Sequence, residues 1–188
     1  MNDYIAISTL NDFIFCPYSI YLHNVYSDTD EDVYHAVPQT RGKAAHAASD
    51  EKRSSTRKDD LQSLSVISEK YRIYGKIDIY FGGLRMLVER KYQLRQIFRG
   101  QYYQLWAQYF CMKEMGFDVL KLAFYEISTN RMIPVPLPGN NDICEFESFL
   151  SRFRSYDPLA QIQINPNKCS HCVYSALCDK TFQDNVYQ

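Results

Sequence analysis

Three residues near the middle of the chain have the types and the spacing of a metal-dependent phosphodiesterase site. Asp78 is separated by ten residues from the triplet Glu89-Arg90-Lys91. Phosphodiester hydrolysis requires that charge on the scissile phosphate is neutralised and that a water molecule is activated, and carboxylates that hold Mg²⁺ or Mn²⁺ achieve both. A neighbouring lysine can orient or deprotonate the water, or stabilise the charged transition state. An ordinary hairpin with a solvated polar face fits the same loose pattern.

The two acidic residues fall in a predicted β-hairpin. Alternating apolar residues predict strands over 75–80 and 85–91, with a turn at Gly82 and Gly83. Because alternate residues of a strand share a face, the apolar set forms the core side and the charged set the opposite side. We expect the charged face to lie outside the core.

Strand pairing decides how close the two carboxylates come. If the turn places Tyr80 opposite Arg85, then Asp78 faces Leu87 and Glu89 is its diagonal neighbour. Diagonal neighbours lie about 7–8 Å apart, with side chains able to converge, so both carboxylates can grip one divalent cation. The lysine two residues after Glu89 shares their face.

Two further polar residues extend the candidate nuclease site. His46 lies in an alanine-rich helix predicted to begin near Gln39, and Gln104 lies in a helix predicted over 97–115 that Gly116 closes. An imidazole added to two carboxylates shifts the metal preference toward Mn²⁺. A lone histidine in such a helix is, however, more often structural.

Local charge beside the carboxylates favours a polyanionic substrate. The net charge of the chain is only −1, yet one acidic residue, Glu89, stands among five basic residues between positions 85 and 99. These basic residues are Arg85, Arg90, Lys91, Arg95 and Arg99. We expect this run to contact DNA, with Arg95 and Arg99 as the candidate DNA-binding residues.

Four of the six cysteines have the spacing of metal ligands. Cys169, Cys172 and Cys178 form a C-x2-C-x5-C motif near the end of the chain, and Cys16 lies far upstream beside a proline. This set fits either Zn²⁺ or a [4Fe–4S] cluster, and His171 offers a Cys3His alternative for zinc. The other two, Cys111 and Cys144, lie in apolar helical patterns that predict buried thiols.

The rest of the chain predicts a mixed α/β domain. Predicted elements include an N-terminal helix over 4–24 with Ser8 as its N-cap and a break at Cys16-Pro17, a charged loop over 50–62, a three-strand meander from 64 to 91, a strand pair over 119–127 and 131–137, and an amphipathic helix over 141–155. The chain is 46% hydrophobic, has no apolar run long enough to span a membrane and has no signal peptide, so we expect a cytoplasmic protein without a membrane partner.

Five separated motifs, taken together and in order, resemble one known family. They are CP-x3-YL at Cys16, RG-x3-H at His46, GKID-x10-ExK from Gly75, the segment QLWAQYF from Gln104, and the C-terminal C-x2-C-x5-C. The combination resembles the RecB-type CRISPR-associated exonucleases, the fourth family of CRISPR-associated proteins. The match covers almost the whole chain. Many members have Gln-x3-Tyr, whereas here Gln108 follows Gln104 at that spacing and Tyr109 comes one residue later.

The resemblance implies both the fold and the residue roles. It implies a PD-(D/E)xK nuclease fold, a mixed sheet flanked by helices, as one domain over 1–188, with a nuclease core over about 39–137 and an iron–sulfur lobe from 4–24 plus 158–188. His46, Asp78 and Glu89 would bind Mn²⁺ or Mg²⁺, Lys91 would be catalytic, and Gln104 would lie near the substrate. The four cysteines Cys16, Cys169, Cys172 and Cys178 would hold a [4Fe–4S] cluster.

The activity that the resemblance implies is trimming of single-stranded DNA ends, from the 5′ end in many members, before a CRISPR integrase complex inserts the product. Two other functions remain open from the sequence. One is a RecB-like DNA repair nuclease, and the other is an iron–sulfur DNA-binding module whose nuclease site is inactive.

Overall fold

The computed structural model describes residues 4–26 and 59–180. The strands are β1 (Ile5–Ala6), β2 (Asp60–Gln62), β3 (Ser65–Ser68), β4 (Ile73–Lys76), β5 (Ile79–Phe81), β6 (Met86–Lys91), β7 (Lys121–Glu126) and β8 (Arg131–Val135). The α-helices are α1 (Leu10–Phe15), α2 (Tyr18–Val25), α3 (Arg99–Glu114), α4 (Asn140–Arg154) and α5 (Pro166–Cys169). None of these helices is long and apolar enough to cross a membrane.

The described strands form two mixed sheets flanked by helices. One has the order β1-β4-β3, with β1 parallel to β4; the other has the order β2-β5-β6-β7-β8, with β6 parallel to β7. The chain passes from one sheet to the other between β2 and β3, where Ser63 adopts a positive φ of 52°. Backbone bonds from Ser63 N–H to Asp78 O and from Ile77 N–H to Leu64 O link this passage to the one between β4 and β5. Asp78 therefore lies where the two sheets join.

Helix α3 covers the sheets on the side that carries the charged residues of β6. It contacts β3, β4, β6 and α1, and α4 packs against it through aromatic side chains such as Tyr103, Phe146 and Phe149. Its end is a Schellman motif, in which Phe117 N–H donates to Met112 O and Gly116 has a φ of 89°. The predicted closure at Gly116 is therefore confirmed.

The prediction that the charged face of the hairpin lies outside the core is wrong. Tyr80 and Leu87 lie on that face and belong to the main hydrophobic core, and Glu89 is only 6% exposed. Val88, on the other face of β6, is buried as well. The reason is that β6 is a central strand paired on both edges, with α3 packed on the face that carries Glu89.

The predicted register of the hairpin is also wrong. Tyr80 pairs with Leu87 and Phe81 with Met86. The connection is a 3-10 turn at Gly82–Leu84 that ends with Arg85 in the left-handed region, at φ 51°. Because this turn is longer than a two-residue loop, it moves each partner two positions along β6.

Several local predictions also change at the ends of the sheets. Residues 5–6 form β1, a 3-10 turn follows, and α1 begins only at Leu10. Ser8 lies inside the 3-10 turn and is not the N-cap of the helix. Residues 60–62 of the predicted charged loop form β2, and residues 50–58 of that loop lie outside the described residues. The predicted break at Cys16-Pro17 is confirmed.

The two cysteines outside the C-terminal motif differ from each other. Cys111 is fully buried, as predicted, and burial raises the pKa of its thiol to about 12. Cys144 is exposed, so the prediction that it is a buried thiol is wrong. It lies away from the helix face that Phe146, Phe149 and Leu150 bury.

Candidate functional site

Asp78 and Glu89 approach each other across the β5–β6 pairing. Ile79 pairs with Val88, so the next position in the same register brings Asp78 opposite Glu89 rather than diagonal to it. The Asp78 carboxylate accepts a hydrogen bond from the Arg90 backbone N–H, with 2.6 Å between Oδ2 and N. This bond fixes the carboxylate against the strand that carries Glu89.

The Glu89 carboxylate is buried and held from two sides. Its Oε1 lies 2.8 Å from Lys91 Nζ, and its Oε2 accepts a hydrogen bond of 2.7 Å from Gln108 Nε2. Gln108 is 3% exposed and also donates to Lys76 O at 3.4 Å. Among the described residues, the Gln108 Oε1 atom is buried without a hydrogen-bond partner. Pairing and hydrogen bonding together allow a carboxylate to remain buried at this position.

Lys91 links the strand to helix α3 and the N-terminal segment. Its Nζ donates to Gln104 Oε1 at 3.4 Å, and Gln104 Nε2 donates to Ser8 O at 3.2 Å. Burial alone would lower the pKa of Lys91, but the charges of Glu89, Asp78 and Asp12 together outweigh it and raise the pKa. Lys91 is therefore an ammonium group at neutral pH.

These side chains line one cavity of about 580 Å³. Asp78, Glu89, Lys91 and Gln104, four of the residues singled out from the sequence, share its wall with Gln108. His46, the third predicted ligand of the divalent metal, lies outside the described residues. Two carboxylates are a hard oxygen donor set of the kind that Mg²⁺ and Mn²⁺ take.

The four predicted cluster ligands line a second cavity, of about 610 Å³, between the N-terminal helices and the tail. Cys16, Cys169, Cys172 and Cys178 all contribute to its wall. Burial raises the pKa of the Cys172 thiol, and the other three thiols add to the rise. Four cysteines facing one cavity match the donor set of a zinc or iron–sulfur site. Within residues 4–26 and 59–180, however, no three His, Cys, Asp or Glu side chains are gathered closely enough to form a metal-binding group.

The tail that carries three of these cysteines docks on α2 through protein contacts. Tyr18, Leu22 and Tyr174 form a small hydrophobic cluster. Tyr18 OH donates to Asp179 Oδ1 at 2.7 Å, and Tyr174 OH lies 3.1 Å from His23 Nδ1. The wall of the cysteine cavity is thus built from both ends of the described chain.

The basic run does not form one continuous charged surface. Arg85 pairs with Asp118 at 2.7 Å, and Arg90 is buried beside the Tyr125 ring. Arg99 contacts Glu145 and lies over the rings of Tyr103 and Trp106. Helical geometry puts Arg99 on a different face of α3 from Gln104 and Gln108.

Arg95 is exposed in the loop between β6 and α3. The other candidate DNA-binding residue, Arg99, is paired with two carboxylates, those of Glu145 and of Asp142, the latter at 3.7 Å.

Two site residues were missed by the sequence reasoning. In the sequence Gln108 stands out only as a departure from Gln-x3-Tyr, yet it donates a hydrogen bond to Glu89. Its spacing of four residues from Gln104 places both on one helix face. Asp12 on α1 is close enough to Lys91 to influence its charge, and burial raises the pKa of the Asp12 carboxyl. No local pattern indicates Asp12, because α1 reaches the site only through tertiary packing.

The fold and the site define a mixed α/β protein with two mixed sheets flanked by helices and a buried carboxylate–lysine cluster at the junction of the sheets. A solved structure described as "Crystal structure of SSO0001" is similar in fold, with a TM-score of 0.64 and 15% sequence identity over 94% of this chain and 86% of the other. No family model matches the chain, and no curated protein matches it. At this identity the likeness concerns the fold alone.

Proposed function

We propose that the protein is a metal-dependent nuclease of the RecB-like PD-(D/E)xK type that hydrolyses single-stranded DNA ends. The observation that carries the proposal is the cavity in which Asp78, Glu89, Lys91 and Gln104 meet, with Lys91 Nζ 2.8 Å from Glu89 Oε1. Burial of an ion pair carries a desolvation penalty, so buried charges at a cavity wall indicate a functional site. Two carboxylates beside a lysine suit phosphodiester hydrolysis.

Each residue has a role in this proposal. Asp78 and Glu89, together with His46, bind Mn²⁺ or Mg²⁺, which supplies charge neutralisation and activation of water. Gln108 and the Arg90 backbone N–H hold the two carboxylates in place. The Lys91 ammonium stabilises negative charge on the phosphate, and Gln104 orients Lys91 at the cavity wall.

The proposal extends to the cysteines and to the biological setting. Cys16, Cys169, Cys172 and Cys178 hold a [4Fe–4S] cluster that fastens the tail to the N-terminal helices. The five-motif resemblance supports a CRISPR-associated exonuclease that works in the cytoplasm with an integrase complex, processing precursor spacers before integration. Purified protein should then contain iron and sulfide and absorb broadly in the visible range; stoichiometric zinc without iron would overturn the cluster assignment.

The test of catalysis is Lys91→Met, which removes the charge and keeps much of the side-chain volume. Single-turnover degradation of labelled single-stranded DNA should require Mn²⁺ or Mg²⁺, stop with EDTA, and fall at least about 100-fold in Lys91→Met. The matched control is Lys121→Met at an exposed position of β7, which should cleave like wild type. Cleavage by Lys91→Met at the wild-type rate would refute the nuclease site.

A further inference from the structure

A larger cavity, of about 800 Å³, adjoins the catalytic cavity. Ala6 and Tyr74 line both cavities, and they are register partners in the parallel pairing of β1 with β4. The two cavities therefore share a wall at this strand pair. The volume falls in the range of sites that take ligands of nucleotide size.

Aromatic side chains dominate the wall of this larger cavity, which we call the aromatic groove. Two of them expose much of their surface: Tyr21 is 39% exposed and Tyr74 is 43% exposed. The Tyr21 ring stacks on the ring of buried Tyr18, with centroids 5.1 Å apart and planes at 28°, so Tyr18 packs against one face of the Tyr21 ring. The six aromatic residues of the wall are Tyr4, Phe13, Tyr21, Tyr74, Phe153 and Tyr156.

Positive charge lies at the same wall. Arg154 lines the groove, and its guanidinium is anchored by a hydrogen bond of 2.6 Å from Nη2 to Tyr71 O. Burial lowers the pKa of Arg154, and the charge of Arg72 lowers it further. The carboxylate at the Tyr4 end, Glu69, accepts a hydrogen bond from Tyr4 OH. Aromatic rings beside a guanidinium group complement a ligand that carries both flat bases and phosphates.

We propose that the aromatic groove binds the bases of a single-stranded nucleic acid next to the phosphate held in the catalytic cavity, with Tyr74 as the stacking surface where the cavities meet. The statement that a phosphate lies in the neighbouring cavity rests on the proposed function. The binding of bases in the aromatic groove does not. Stacking on aromatic rings tolerates any base sequence. A duplex keeps its bases stacked inside, so the groove selects single strands over duplexes.

The perturbation is Tyr74→Ala, with Tyr21→Ala as a second variant. Affinity for a fluorescein-labelled single strand is measured by anisotropy in EDTA, where cleavage does not occur. Loss of one stacking contact should weaken binding between about five-fold and about 150-fold. Tyr74→Phe should bind like wild type because it keeps the ring. Tyr92→Ala is the matched control, because Tyr92 is 41% exposed and lines neither cavity.

A second arm separates stacking from general loss of surface. A single abasic site is placed at each position of the strand in turn, and the affinity of each strand is measured. At one position the abasic site should weaken binding by wild type strongly and binding by Tyr74→Ala not at all, because the ring and that base are partners. Comparing the affinities for a DNA strand and an RNA strand of the same sequence shows which of the two nucleic acids the groove binds. If Tyr74→Ala and Tyr92→Ala bind alike, or if duplex binds as tightly as single strand, the groove proposal is wrong.

Cleavage measured on the same variants keeps the two proposals apart. Metal-dependent cleavage together with unchanged binding by Tyr74→Ala refutes the groove and leaves the nuclease intact. Binding that depends on Tyr74, together with no cleavage under any divalent metal, refutes the nuclease and leaves the groove.

Discussion

The hydrogen bond from Gln108 to Glu89 gives a direct measure of how the site is held. Gln108→Leu keeps most of the side-chain volume but removes the donor to Glu89 Oε2, which lies 2.7 Å away on a carboxylate that is 6% exposed. A hydrogen bond to a charged group contributes about 1.5–3 kcal/mol. The second bond of Gln108, to Lys76 O, is long at 3.4 Å and adds little.

We therefore expect Gln108→Leu to reduce the free energy of unfolding by about 2 kcal/mol. For a chain of this length the melting temperature should fall by about 4–8 °C. The measurement is urea unfolding followed by circular dichroism, without divalent metal, so that metal binding does not contribute. The slope of the unfolding free energy against urea should stay the same.

Gln104→Leu, one turn earlier on the same helix face, is the matched control. Its two hydrogen bonds are 3.4 Å and 3.2 Å long, and Gln104 is only partly buried. Its loss should cost less than about 1 kcal/mol. If both variants lose the same free energy, or Gln108→Leu loses less than about 0.5 kcal/mol, the view that Gln108 holds a buried carboxylate is refuted.

Three further predictions follow from single contacts. Asp78→Asn keeps an acceptor for the Arg90 N–H and should unfold near the wild-type midpoint, whereas Asp78→Ala should lose about 1–3 kcal/mol in the same urea assay; equal losses would contradict this role of the carboxylate. Gly82→Ala should be destabilising because an added Cβ would lie 2.3 Å from Asp59 O, while Gly83→Ala, with nothing within 4 Å, should be tolerated; thermal melts of both decide. In thiol labelling of the native protein near neutral pH, exposed Cys144 should react, and Cys111, with a pKa of about 12, should react only on unfolding; labelling of Cys111 in the native state would disprove its burial.

The spans of the longer strands and helices are predictable from the sequence because they depend on local patterns. Alternation indicates β6, whereas the strand predicted over 75–80 is divided between β4 and β5 in different sheets. The end of the helix before Gly116 follows from a glycine that accepts a positive φ. Elements of two or three residues, such as β1 and β2, carry too little pattern to be recognised. They form because longer neighbours offer them backbone partners.

Which face of the hairpin is buried depends on tertiary structure. Charged residues at alternate positions indicated a solvated face, but α3 packs on that face and supplies Gln104 and Gln108 as polar partners. A strand whose charges have such partners can be buried on both sides. The sequence contains both halves of this arrangement, one on β6 and one on α3, but nothing local shows that they meet.

The site residues divide in the same way. Asp78, Glu89, Lys91 and Gln104 could be selected from the sequence because their types and spacing suit a known chemistry, and all four line one cavity. The residues that hold them in position carry no such pattern, because a glutamine or aspartate on another element acquires its role only by contact. Gln108 and Asp12 belong to this second group.

Helix α1 connects the two candidate sites more directly than their separation in sequence implies. Just before it, Ser8 O accepts the hydrogen bond from Gln104 in the cavity that Asp78, Glu89 and Lys91 line. At its end, Cys16 N–H donates to Asp12 O, and Cys16 lines the cysteine cavity. The helix has six residues and so is only about 9 Å long. The charge of Asp12, in the middle of this helix, helps to raise the pKa of Lys91, and the backbone carbonyl of the same residue accepts the hydrogen bond from Cys16. The cysteine cavity and the cavity that Lys91 lines are therefore joined along the chain by the six residues of α1, so both depend on where this helix packs.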